Sequence, residues 1–340
     1  MVDSIGKKCE NHRGRGSAIV YGVKCMIEES KCRVAYINEM IESGRADQLV
    51  ADGEQYHAEQ LKQIAAAICS HDQVRVVLIA GPSSSGKTST SHRLCLELLA
   101  QGKKPVALSL DNWFLEQDQL KPDKDGKKDY ESVYALNLEQ LDQDLRGLIA
   151  GEEVALPTFN FLTGKREYNG ETLQLEAETV LVIEGIHALN PILTEHIDAA
   201  CKYRIYAAPM SHVTLDGERW VPTYVNRLLR RMSRDLRTRG KSPQATIALW
   251  PYVIEGEAQW IEPFRNEADA FFDTAMTYEL SAIRLTVETA LQTVPAVAEE
   301  YKMAEQLLYF LSFFEPLEAS FVPRTSILRE FIGGSQFNVG

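Results

Sequence analysis

The sequence predicts an α/β protein, a mostly parallel sheet with helices on both faces. Three observations predict it. Short apolar runs alternate along the chain with segments of helical period. The first of those runs passes directly into a loop rich in glycine and serine, and then into a helix. Two of the runs end at an acid, Asp111 and Glu184. Strands that alternate with helices need crossovers, so they pair in parallel and are covered on both faces.

The elements follow in order. Residues 1–30 show little pattern; Lys7, Lys8, Arg13 and Arg15 make a polar start. Residues 31–72 form a helical lead-in, with Ile37, Met40 and Ile41, then Leu61, Ile64, Ala65 and Ile68, at helical spacing. Gly44 and Gly53 are expected to break it into two helices. Residues 73–290 read as one domain. Its strands are expected at Val74–Ala80, Pro105–Leu110, Thr179–Ile183 and Tyr203–Ala208, and its helices at Thr88–Ala100, Leu138–Ala150 and Arg219–Thr238. Between Val154 and Glu178, short extended pieces with Gly164 and Gly170 predict a β-hairpin. Phe271–Leu280 reads as a last strand. Residues 291–340 begin with an apolar helix, Ala296–Phe314, whose Tyr301, Ala304, Leu307, Leu308 and Leu311 sit at core spacing. The stretch Ser326–Gly334 is too apolar for a free tail and is expected to dock.

Composition bounds the function. The chain has 340 residues, 45% apolar and 25% charged, which suffices for a sizeable core. A net charge of −12 argues against a nucleic-acid or membrane-surface partner. No apolar run approaches the ~20 residues that span a bilayer. Six scattered cysteines make no C-x-x-C pair and no zinc spacing, so reduced thiols and a cytoplasmic location are expected. The seven histidines are dispersed, and each reads as a core or solvated residue.

The chemistry concentrates at a few places. Gly81-Pro82-Ser83-Ser84-Ser85-Gly86-Lys87-Thr88 fits G-x-x-x-x-G-K-[ST], a phosphate-binding loop between strand and helix. Glycines let the backbone wrap an anion, and successive amides through Ser89 face it. Lys87 would reach the terminal phosphates and the Thr88 hydroxyl would hold Mg²⁺. Asp111, at the end of the second strand, reads either as a base for an acceptor hydroxyl or as a turn residue. Glu184, at the end of Val180-Leu181-Val182-Ile183, reads as a Mg²⁺-directed carboxylate or as a cap. Arg227, Arg230, Arg231, Arg234, Arg237 and Arg239 crowd one helix, and the first four share a face. With Asp235 and Glu218 as the near acids, the surplus charge predicts an anionic partner and a lid over phosphates.

Taken together, Gly81–Thr88, Ser109–Phe114, Ile183-Glu184-Gly185 and Arg230–Gly240 resemble the uridine kinase and phosphoribulokinase family of P-loop kinases, from about Val74 to about Leu280. In more detail the chain resembles bacterial uridine kinase-like proteins that end in Ser326–Ser335. Longer members carry an N-terminal region similar to part of threonyl-tRNA synthetase. Most of it is expected to be missing here, with Ala35–Cys69 similar to the helical link after it. The resemblance implies a P-loop NTPase-type parallel sheet, a β-hairpin over the acceptor site, an Arg-rich lid helix, and helical N- and C-terminal additions.

It further implies transfer of the γ-phosphate of ATP (or GTP), with Mg²⁺, to a small-molecule hydroxyl of a nucleoside or sugar. Asp111 would be the general base, with Lys87, Arg234 and Arg239 on the phosphates and Thr88 and Glu184 serving Mg²⁺. Glu131 falls where an acid holds ribose hydroxyls, Arg231 would orient the acceptor, and Lys241 stands in for a substrate-side arginine. Phe159, in the hairpin, keeps a stacking face where a tyrosine is usual. Gly164 and Leu249 fall where uridine kinases carry a base-reading histidine and glutamine. Losing two polar readers argues for another nucleoside or sugar alcohol. Arg166 and Lys165 could serve a phosphate-bearing acceptor. A non-catalytic nucleotide-binding module is the alternative of another class. The oligomeric state is left open.

Overall fold

The computed structural model describes residues 29–122, 126, 128–161, 163–176, 178–210, 213–215 and 220–339. Most of the expected N-terminal segment 1–30, with its basic residues, lies outside them, as do Glu218 and Arg219. The first α-helices among the described residues are α1 (Val34–Glu42) and α2 (Ala46–Cys69). Strand β1 (Val76–Ala80), helix α3 (Lys87–Ala100) and strand β2 (Lys104–Ser109) follow. After α4 (Leu138–Ala150) come four short strands: β3 (Val154–Ala155), β4 (Thr158–Asn160), β5 (Lys165–Glu167) and β6 (Thr172–Leu173). The rest is β7 (Thr179–Glu184), β8 (Lys202–Ala208), α5 (Thr223–Thr238), α6 (Pro243–Trp260), β9 (Ala270–Asp273), α7 (Glu279–Leu291), α8 (Tyr301–Leu311) and the single turn α9 (Arg329–Ile332).

The main sheet runs β2-β7-β1-β8-β9, and every pairing is parallel. β1 and β7 are buried along their whole length. Their apolar runs divide by side-chain parity: Val77, Ile79, Val180 and Val182 join one core, and Val76, Leu78, Leu181 and Ile183 join the other. A strand buried on both faces needs a continuous apolar run, which these two have. Each such side chain contributes roughly 2 kcal/mol by leaving water. An acid at Ile79, 0% exposed, would bury an unpaired carboxylate and break the sheet at its centre.

β4 and β5 pair antiparallel, Phe159 opposite Arg166, as the sequence expects between Val154 and Glu178. Three expectations need correction. Gly53 does not end a helix; α2 runs through it, because its missing Cβ leaves room for the Tyr278 ring, which a Cβ would meet at 3.1 Å. The last strand stops at Asp273, and Glu279 already opens α7, drawn out of the sheet to pair with Arg230. The C-terminal helix spans Tyr301–Leu311 rather than Ala296–Phe314. Helix α6, which holds Pro251 inside it, was not among the expected helices. The terminal segment docks: Ile327, Leu328 and Phe331 are buried in the larger core.

Candidate active site

The loop between β1 and α3 is shaped for an oxyanion. Gly81 lies against the neighbouring strand, where a Cβ would stand 1.9 Å from the Ala207 carbonyl oxygen. Gly86, the N-cap of α3, has φ 87°, a backbone state glycine enters freely. Ser84 also adopts positive φ, at 59°, in the small left-handed region. The hydroxyls of Ser84 and Ser85 are shielded from solvent and have no hydrogen-bond partner among the described residues. Buried hydroxyls that lack a partner fit a missing polar ligand. Lys87 is buried, and its Nζ donates to the Pro82 carbonyl at 3.2 Å. Burial first lowers its pKa; Glu184 and Asp111, next in size, hold it up.

Sheet register brings the acids to that loop. Glu184 ends β7 beside both Ile79 of β1 and Ser109 of β2. Its Oε1 accepts from the Thr88 hydroxyl at 3.1 Å. Burial, reinforced by Asp111, pushes its carboxyl up to about 7. Asp111 lies two residues past Ser109, in a short turn of 3₁₀ helix, Leu110–Trp113. Ser109 is the cap there, accepting from the Asp111 N–H, which leaves the Asp111 carboxylate free of that duty. No group of three or more His, Cys, Asp or Glu that could hold a metal occurs among the described residues. Thr88 and Glu184 form a sparse set of hard oxygens. Such a set suits Mg²⁺, which keeps several waters and takes phosphate oxygens as well.

Across from the loop, Glu131 is 8% exposed and its carboxyl is pushed up to about 7, by burial first, against the pull of Arg231. Asp129 Oδ1 fixes the segment by accepting from the N–H groups of Glu131 and Ser132, both at 3.0 Å, and from the Tyr252 hydroxyl at 2.5 Å. Gly256 of α6 faces Glu131; a Cβ there would stand 2.4 Å from the Glu131 Cβ. Phe159 packs on Phe114 and edge-on to Phe161, with ring centroids 5.6 and 5.1 Å away. Arg166 Nη1 is shielded and has no hydrogen-bond partner among the described residues. Gly164 has φ 67°, and a Cβ on it would meet Gln117 at 3.2 Å. Leu249, in α6, is half-buried.

The arginine helix reads differently in three dimensions. Arg227 forms a bidentate pair with Glu257, at 2.7 and 3.1 Å. Arg230 is fully buried and pairs with Glu279. Asp235, 0% exposed, faces Arg231 at 3.4 Å, Arg234 at 2.8 Å and Arg239 at 3.8 Å. Burial alone would raise the Asp235 pKa, but the three guanidiniums together hold it low. Two of the arginines are thus paired by carboxylates distant in sequence, while Arg231, Arg234 and Arg239 share Asp235 and keep a surplus of positive charge. The helix still addresses the loop. Arg227 Nη1 and Arg231 Nη1 reach the Ser83 carbonyl and hydroxyl, at 3.5 and 2.8 Å, and Arg230 Nη1 reaches the Ser85 carbonyl at 3.4 Å. Arg239 lies over the Phe161 ring, 4.6 Å from its centroid. Burial, then Arg234, lowers its pKa to about 10. Lys241 is half-buried, and burial lowers its pKa as well.

Two residues at the site were not singled out from sequence. His187, three past Glu184, is 2% exposed, and burial pushes its pKa down to about 4. Its position just past a strand-end acid was the available signal. Glu330, from the docked C-terminal segment, accepts from the Ser89 N–H at 3.2 Å and from its hydroxyl at 2.9 Å. No sequence spacing relates residues 241 apart.

Residues 76–281 match the Phosphoribulokinase / Uridine kinase family. A uridine kinase of Macrococcus caseolyticus is 30% identical over 196 residues, 57% of this chain and 85% of that protein. One from Staphylococcus carnosus is also 30% identical over 196 residues, covering 57% and 84%. Among solved structures, a putative fructose transport system kinase from Silicibacter sp. is similar at 20% identity, with a TM-score of 0.47, over 62% of this chain and 98% of that one. The family match takes in β1 through β9 and the start of α7. The chain therefore belongs to the phosphoribulokinase / uridine kinase family and is an ATP-dependent kinase.

Proposed function

We propose that this protein transfers the γ-phosphoryl group of ATP, with Mg²⁺, to a hydroxyl of a nucleoside or nucleoside-like acceptor. The observation that carries the reading is the convergence of Lys87, Thr88, Asp111 and Glu184 at the carboxyl ends of three adjacent strands. Ligands of open parallel sheets bind beyond those ends. Amides of the loop and the Ser84 and Ser85 hydroxyls would hold the phosphate chain. Thr88 and Glu184 would hold Mg²⁺, which supplies charge neutralisation on the transferred group. Lys87, buried among acids, would swing from the Pro82 carbonyl to the terminal phosphate. Asp111 would accept the proton of the acceptor hydroxyl. Glu131, held by Asp129 and backed by Gly256, would receive further hydroxyls of the acceptor. Arg231, Arg234, Arg239 and Lys241 line the same side and would stabilise the charge that develops in transfer.

A second reading has its own observation. Arg166 Nη1 is shielded from water and unpaired among the described residues. A guanidinium of that kind suits an acidic group, so an acceptor that bears a phosphate or carboxylate is favoured by it. The test is a panel of nucleosides, sugars and sugar phosphates scored by ADP release with Mg²⁺ and ATP. Stimulation by a nucleoside supports the first reading, and stimulation confined to anionic sugars supports the second. ADP release stimulated by no member would argue for a nucleotide-binding module without turnover.

A further inference from the structure

We infer that Glu330 is a built-in phosphate mimic: its carboxylate occupies the anion seat at Ser89, and a nucleotide binds by displacing it. The inference rests on the proposed function, since it takes the loop 81–88 to receive a phosphate chain. Ser89 is the third residue of α3, where backbone N–H groups have no partner within the helix. Such groups attract anions. Here the anion is already present. Glu330 Oε2 accepts from both the Ser89 N–H and the Ser89 hydroxyl, at 3.2 and 2.9 Å. It is 5% exposed. One N–H proton serves one anion well, so the carboxylate and a nucleotide phosphate exclude each other at this seat.

The segment that carries Glu330 is fixed by contacts of its own. Ile327 lies against Gly86, where a Cβ would stand 2.5 Å from its Cγ2. The Phe331 ring lies under Arg230, 5.1 Å from the guanidinium carbon. The Phe331 carbonyl accepts from the Ser233 hydroxyl and Arg237 Nη1, both at 3.0 Å. The Glu330 side chain can therefore leave Ser89 while Ile327 and Phe331 stay seated. Phe331 also joins the segment to the arginine helix. The consequence is a penalty on ligands that carry phosphate and none on the base and ribose alone.

The test measures ATP and adenosine binding by calorimetry in the 340-residue wild type, Glu330→Gln and Glu330→Ala. Both variants are expected to bind ATP about tenfold more tightly, the size of one charged hydrogen bond no longer in competition. Adenosine affinity is expected to stay the same. Wild type that binds ATP as tightly as the variants overturns the mimic while leaving the phosphate-loop reading intact. An equal gain for adenosine also overturns it, since phosphate would not be the competitor. ATP bound by none of the three overturns the loop reading and the mimic with it.

Discussion

The Thr88 hydroxyl donates to Glu184 Oε1 at 3.1 Å, joining the first turn of α3 to the end of β7 across 96 positions of sequence. Two hard oxygens next to the phosphate loop are the least that a Mg²⁺ site of this kind needs from protein. Glu184→Gln keeps the shape and removes the charge. Turnover at limiting Mg²⁺ should fall by about 100-fold, with metal-free nucleotide binding nearly unchanged. Magnesium titration of wild type and variant checks this, and equal half-saturation would remove Glu184 from the metal site.

The same carboxyl sets a pH dependence. Burial and Asp111 push Glu184 up to about 7. Below that it carries a proton, and a neutral acid is a poor metal ligand. The Mg²⁺ concentration for half-maximal turnover should therefore rise, approaching tenfold per pH unit below about 7, and level off above. A flat profile between about pH 6 and 8 would contradict the assignment. Stability runs the other way for this group. The folded state keeps the proton up to about 7, while an unfolded glutamate releases it near its ordinary value, so Glu184 contributes stability at low pH that is lost as pH rises through that window.

Asp111 and Lys87 should separate chemistry from binding. Asp111→Asn should lower kcat by about 10²–10⁴-fold and leave ATP affinity within a few-fold. Lys87→Ala should weaken ATP binding as well. Paired kinetics and calorimetry decide; intact turnover in Asp111→Asn would mean that another group takes the proton.

Gly256→Ala probes the acceptor wall. In an ordinary helix the change would stabilise by about 1 kcal/mol. Here the new Cβ would meet Glu131 at 2.4 Å, so Glu131 must move. The acceptor KM should rise about tenfold or more while the ATP KM holds. Unchanged acceptor kinetics would take Glu131 out of the acceptor site.

Arg230 and Glu279 form the most buried ion pair described, 1% and 0% exposed at the side chains. Glu279→Ala leaves a guanidinium without its counter-charge inside the core. Denaturant unfolding should show a loss of about 3–5 kcal/mol. A loss below about 1 kcal/mol would mean that Arg230 finds another partner, with Thr274, whose carbonyl it already meets at 2.7 Å, the nearest candidate.

Local order was legible before any coordinates. The apolar runs of β1 and β7, the glycine pattern at Gly81 and Gly86 and the helical period of Leu138–Ala150 each depend on residues near in sequence. Their periods and backbone preferences are written in the chain. Gly53 misled because a breaker acts through local sterics, and in α2 the contact with Tyr278 outweighs it. Asp111 and Glu184 could be named from their strand ends, whereas their shared neighbourhood with Lys87 needed the β2-β7-β1 register.

The sequence by itself determined the phosphate loop, the strand-end acids and the parallel α/β plan, because each is a short-range pattern of shape and polarity. Only the tertiary structure decided where the arginines spend their charge and what sits on Ser89. Glu257, Glu279 and Glu330 reach their partners from 30, 49 and 241 residues away. Coulomb attraction and hydrogen bonding depend on distance in space, which folding alone sets.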